Sequence, residues 1–171
     1  MPYNLAIRGH DLSAQLTIET LPAEIQKMGI SNVQLALPLS FPTVSSEAEN
    51  LSPGFGTYVK HIFEQSQVQI AILSCYINMI HPDLSTREVA LQKFESYIRH
   101  AKYFGAPIVA TETGNVFEDI HYTEDNFTDE AFEQVVASVQ RLIATAEHHH
   151  TIIGIEISEA EYFENRRCWR Y

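Results

Sequence analysis

The feature that most constrains this chain is a strict alternation of short apolar strands and amphipathic helices, sustained from its first residues to Glu156. Five segments read as strands: Asn4-Leu5-Ala6-Ile7, Val33-Gln34-Leu35-Ala36-Leu37, Val68-Gln69-Ile70-Ala71-Ile72-Leu73, Pro107-Ile108-Val109-Ala110-Thr111 and Ile152-Ile153-Gly154-Ile155-Glu156. Most are continuous apolar runs, the pattern expected when both faces of a parallel sheet are covered. Between them, Ser85-Thr86-Arg87-Glu88 reads as a capping box ahead of Leu91, Phe94, Ile98, Ala101 and Phe104 on one helical face, with Gly105 at the stop. Phe132, Val135, Val136, Val139, Leu142, Ile143 and Ala146 make a second stripe after Asp129-Glu130. Shorter helices are expected from about Pro22 to Met28 and from Tyr58 to Glu64. Alternation of this kind specifies an α/β fold with right-handed crossovers. At 171 residues and 45% hydrophobic content, the chain can bury a core and reads as one domain.

The connections are asymmetric. Helix-to-strand links are tight (Gly29 to Asn32, Ser66-Gln67, Gly105-Ala106), whereas strand-to-helix links are long, from Pro38 to Phe55, Tyr76 to Leu84 and Gly114 to Phe127. The long loops therefore gather at the C-terminal ends of the strands, where open α/β sheets and (β/α) barrels both build their sites. Polar residues at those ends are His10-Asp11, Cys75 with His81-Pro82 beyond it, Glu112, and Glu156. One carboxylate or imidazole per strand end is how a barrel assembles a divalent-metal site that polarises the oxygens of a sugar. Each has a plainer reading. Glu112 serves equally well as a cap on the loop after it, His81 as a loop-packing residue, and Asp11 as a turn residue.

Three motifs, SCYINMIHPD, IVATETGNV and IIGIE, each closing a strand and in that order, carry a resemblance to the sugar phosphate isomerase/epimerase family of xylose isomerase-like TIM barrels. The resemblance runs from about Tyr3 to Glu156. It implies a (β/α) barrel that is incomplete here, about five β/α units, because a whole one takes about 250 residues. It places on Glu156 the role of the fifth-strand glutamate, which binds a divalent metal (manganese, zinc or magnesium) and acts as a base beside the substrate. His81 then becomes a substrate or metal-shell residue and Glu112 lines the pocket, while His10, by its place after the first strand, is a further substrate-binding candidate. The activity implied is metal-dependent proton transfer next to the carbonyl of a sugar or sugar phosphate. Family members carry three further β/α units that bring an Asp, a His and a second Glu to the metal. The expected organisation is a partial barrel over 1–156 and an atypical tail over 157–171, read as a truncated or out-of-frame end.

Other classes are disfavoured. A formal charge of −11 repels a phosphate backbone, so nucleic acid is not an expected partner. No apolar run approaches the roughly 18 residues of a membrane span, and no signal peptide is evident, which makes a cytoplasmic location the expectation. Cys75 and Cys168 have no metal-ligand spacing and read as free thiols. His148-His149-His150 point in different directions at a helix C-terminus and suit its dipole rather than a metal. The acidic run Glu118, Asp119, Glu124, Asp125 is a solvated loop placed where a lid would sit. The competing reading is a non-catalytic α/β module that binds a partner or assembles with itself. An incomplete barrel leaves two strand edges unpaired, so a homodimer through those edges is expected of it.

Overall fold

The computed structural model describes residues 4–12 and 15–156. Strand β1 (Ala6–Arg8) is followed by helix α1 (Leu21–Lys27) and β2 (Asn32–Ala36). Then come the short helix α2 (Leu37–Ser40), α3 (Pro53–Gln65), β3 (Gln69–Ser74), α4 (Leu84–Phe104), β4 (Ile108–Glu112), α5 (Asp129–His149) and β5 (Ile152–Glu156). All four strand pairings are parallel, and the order in space is β1-β2-β3-β4-β5. Because the order never reverses, there is no switch point, and every right-handed crossover lays its helix on the same side. That is the arrangement of a barrel segment and not of a doubly wound open sheet.

The strand register separates the two faces. Val33, Leu35, Leu73 and Val109 point toward the helices and are fully buried against Ile25, Val59, Phe63, Phe94, Ile98 and Leu142. The alternate positions form the other face, in rows set by the pairing: Gln34, Ile72, Ile108 and Ile152, then Ala36, Ser74, Ala110 and Gly154. The expectation that both faces are covered therefore holds for the helix side and, on the second face, for the row Ala36, Ser74 and Ala110 only. Ile152, on the second face, is 60% exposed. A register shift between Val33 and Gln34, where Gln34 pairs with Ile72 while Val33 pairs with Ile70, keeps Ser74 in phase with Gln34's face.

Helix ends follow local chemistry, with one difference from the sequence reading. The N-cap of α4 is Asp83, whose Oδ1 accepts from the Thr86 N–H at 2.7 Å, while the Ser85 hydroxyl donates to that same oxygen at 2.6 Å. A carboxylate two residues upstream outcompetes the serine of the expected capping box, because it also complements the helix dipole. Gly105 closes α4 in the left-handed conformation at φ +72°. In α5, Thr128 caps through the Ala131 N–H, and the expected apolar stripe divides. Leu142 and Ala146 are buried, whereas Phe132 and Ile143 are 67% and 43% exposed. No helix among the described residues is long and apolar enough to cross a membrane.

Candidate active site at the C-terminal ends of the strands

Glu156 ends β5 and Gln34 lies on β2, three strands away, yet Gln34 Nε2 reaches Glu156 Oε2 at 3.5 Å. Flat parallel strands would set these backbones about 14 Å apart. The contact closes because the sheet curls toward this face, as it does inside a barrel. The same Nε2 donates to Ser74 Oγ at 3.0 Å and to Tyr76 Oη at 3.1 Å. Small residues permit this. The row Ala36, Ser74, Ala110 and Gly154 lies between Gln34's row and the carboxylates, and leaves room for the glutamine side chain to extend over it.

Glu112 pairs in register with Glu156 on adjacent strands, so both carboxylates stand on the concave face. Their field reaches Tyr76. Its hydroxyl is held above the ordinary phenol range mainly by burial, with Glu156 and Glu112 adding to the effect and the Ser74 hydrogen bond and Arg8 opposing it. His10 stands edge-on to the Tyr76 ring, centroids 6.3 Å apart, and its Nδ1 is buried without a hydrogen-bond partner among the described residues. Arg8, one turn before, pairs with Asp11 at 2.8 Å, which gives Asp11 the turn role expected of it.

Of the sequence-derived candidates, Glu156 and Glu112 act on the Tyr76 hydroxyl through their charge, and His10 stands edge-on to its ring. His81 is engaged in its own loop, where Nδ1 accepts from the Asp83 N–H at 3.1 Å and its carbonyl accepts from Arg87 Nε at 2.7 Å. Among the described residues no hydrogen bond joins it to Gln34, Tyr76 or Glu156. Gln34, Ser74 and Tyr76 are not among the sequence-derived candidates. Gln34 and Ser74 carry one sequence signal, a polar residue in an apolar strand, which becomes legible once the register is known, and Tyr76 lies in the loop just beyond β3.

The cysteine and the histidine run take structural places. Cys75 is buried, and desolvation pushes its thiol up to about 12, far from nucleophile territory. His150 ends α5 in the left-handed region at φ 54°, and burial together with Lys102 and Arg99 lowers the pKa of His149. Cys168 and the tail 157–171 lie outside the described residues. Among the described residues no three His, Cys, Asp or Glu side chains converge to hold a metal ion. Glu112 and Glu156 supply two carboxylates, and two are too few for a divalent site. The described residues by themselves therefore do not fit a resident metal.

A one-sided, singly wound parallel sheet with carboxylates at the C-terminal strand ends defines a (β/α)-barrel protein. Residues 22–166 match the family described as xylose isomerase-like TIM barrel, and the chain belongs to that family. No curated protein matches it. Among solved structures it is similar to a xylose isomerase domain protein from Planctomyces limnophilus, at 13% identity and TM-score 0.62, covering 90% of this chain and 53% of that one. It is also similar to D-psicose 3-epimerase in the presence of D-fructose, at 9% identity and TM-score 0.64, covering 88% of this chain and 50% of that one. A third is a xylose isomerase-like TIM barrel protein from Mycobacterium smegmatis in complex with magnesium, at 16% identity and TM-score 0.58, covering 90% and 50%. At these identities the likeness establishes the fold. The chain spans about half the length of the structures it matches.

Proposed function

We propose that this chain carries the Glu156 half of a sugar or sugar-phosphate isomerase/epimerase site, in which Glu156 takes a proton from the carbon next to a substrate carbonyl. The observation that carries this reading is the Gln34–Glu156 contact across the curled sheet, which gathers side chains from several strands into one polar mouth. A carboxylate, a phenol, a half-buried imidazole and a carboxamide are suited to a polyhydroxylated ligand, since each offers a directional hydrogen bond to a hydroxyl. Glu112 and His10 bind substrate in this reading. His81, whose Nδ1 accepts from the Asp83 N–H, would meet substrate through Nε2. A divalent cation (manganese, zinc or magnesium) at Glu156 requires donors beyond the described residues, and the proton-abstraction step is assigned to the carboxylate alone.

The test is exchange of the substrate C–H in D₂O, followed by proton NMR on D-fructose and D-fructose 6-phosphate with Mn²⁺ supplied. Glu156→Gln is expected to slow exchange by about 10²–10⁴-fold, the usual contribution of a general base. No exchange by the intact folded chain, or exchange indifferent to Glu156→Gln, overturns the reading.

A second reading, a non-catalytic module that assembles with itself, is favoured by one observation: β1 and β5 have open edges among the described residues, and Ile152 and Ile155 on β5 are exposed. Unpaired strand edges bordered by apolar side chains are templates for pairing with another chain. Sedimentation velocity decides it. A concentration-independent monomer removes this reading.

A further inference from the structure

We propose that Gln34 is a positioning residue that fixes the Glu156 carboxylate for proton transfer; this rests on the role given to Glu156 above. An amide nitrogen has two protons, and Gln34 Nε2 meets three acceptors, at 3.0 Å (Ser74), 3.1 Å (Tyr76) and 3.5 Å (Glu156). Sharing of a proton between acceptors is the geometry that follows. The first two acceptors are anchored. Ser74 is completely buried, and the Tyr76 ring is set edge-on against His10. Gln34 is therefore held by a buried hydroxyl and a half-buried phenol, and it hands that order on to Glu156, an exposed side chain at the end of β5.

The chemistry of the amide suits this task. A neutral donor orients a carboxylate without pairing its charge, as a lysine or arginine would. Engagement of Oε2 leaves Oε1 as the oxygen presented to a ligand. Gly154 keeps the path open, because a Cβ there would stand 3.2 Å from Ala110 Cβ and thicken the row over which Gln34 extends.

The experiment measures exchange kinetics for Gln34→Met, which keeps length and loses the donor, alone and combined with Glu156→Gln. Gln34→Met is expected to lower kcat about 10- to 100-fold, the scale of a misplaced catalytic group, with KM little changed. In the Glu156→Gln background it should add nothing, since the two residues act as one unit. The Gln34 side-chain amide resonance in the intact chain should also move on Glu156→Ala. Unchanged kcat in Gln34→Met, beside loss in Glu156→Gln, overturns this inference and leaves the parent reading standing. An amide resonance indifferent to Glu156→Ala overturns it independently. Absence of exchange in the intact chain takes down the parent reading, and the inference with it.

Discussion

Asn78 shows how much of the mouth rests on single side chains. Its Oδ1 accepts from the N–H of Asn115 (2.9 Å) and Ile80 (3.2 Å), and its Nδ2 donates to the carbonyls of Asn115 (2.8 Å) and Phe117 (3.0 Å). One amide thereby staples the loop after β3 to the loop after β4. Asn78→Ala should cost about 2–4 kcal/mol by urea denaturation, because each bond is worth about 0.5–1.5 kcal/mol net. Gly114 sits against this staple at φ +90°, where a Cβ would lie 2.5 Å from Asn78 Oδ1. Gly114→Ala is expected to lose about 1–3 kcal/mol from strain and displacement together. Cys75 gives a pH signature. Folding raises its thiol from 9.0 to about 12, so below pH 9 both states hold the proton and nothing is lost. Between pH 9 and 12 the unfolded chain ionises first and stability falls. Cys75→Ala should flatten that alkaline limb.

Among elements, α4 is the hub, packed between α3 and α5. Its contact with α3 is close at Gly56, where a Cβ would come within 2.8 Å of Tyr103 Cβ and 3.1 Å of the Tyr103 backbone carbon. Gly56→Ala must separate the helices, and overpacking of this kind costs about 1–3 kcal/mol. Toward α5, Arg141 reaches Glu95 at 2.7 Å and grips both oxygens of Glu88, one of them at 3.0 Å. The α4 N-cap supplies the acidic counterpart of the Cys75 effect. Hydrogen bonds from Ser85 and Thr86 hold the Asp83 carboxyl at about 2, below its ordinary 3.8. That contribution is present above pH 3.8 and is lost as pH falls toward 2, because the unfolded chain takes up the proton first. Thermal melts of Asp83→Ala should show a shallower loss between those values than the parent chain.

At the scale of the whole molecule, burial is one-sided. The helix face of the sheet is sealed, while the concave face is covered only over Ala36, Ser74 and Ala110 and leaves Gln34, Ile72 and Ile108 half-buried and Ile152 exposed. In a closed barrel that face is interior, filled by layers of inward-pointing side chains. If self-assembly covers it or its edges, Ile152→Lys should shift sedimentation toward monomer while leaving the melting midpoint of the monomer little changed, since an exposed lysine carries its charge into water.

The sequence by itself determined the elements and their direction. Apolar runs such as Val33 to Leu37, the acidic first turn Asp129-Glu130 and the glycine stop at Gly105 are local signals, and the long loops after three of the strands pointed to the candidate functional end before any strand was paired. It also pointed to Glu156, a carboxylate closing an apolar strand, which burial rules make conspicuous. Tertiary structure alone decided which polar residues meet. Gln34 and Glu156 are far apart along the chain, and their contact depends on the parallel register, the shift that rephases β3 and the curl of the sheet. His81 is organised instead by local contacts, its ring accepting from the Asp83 N–H and its carbonyl from Arg87 at the start of α4. Side-chain period and capping are read from neighbours in sequence; curvature and register come from the summed packing of helices on one face, which no single segment encodes.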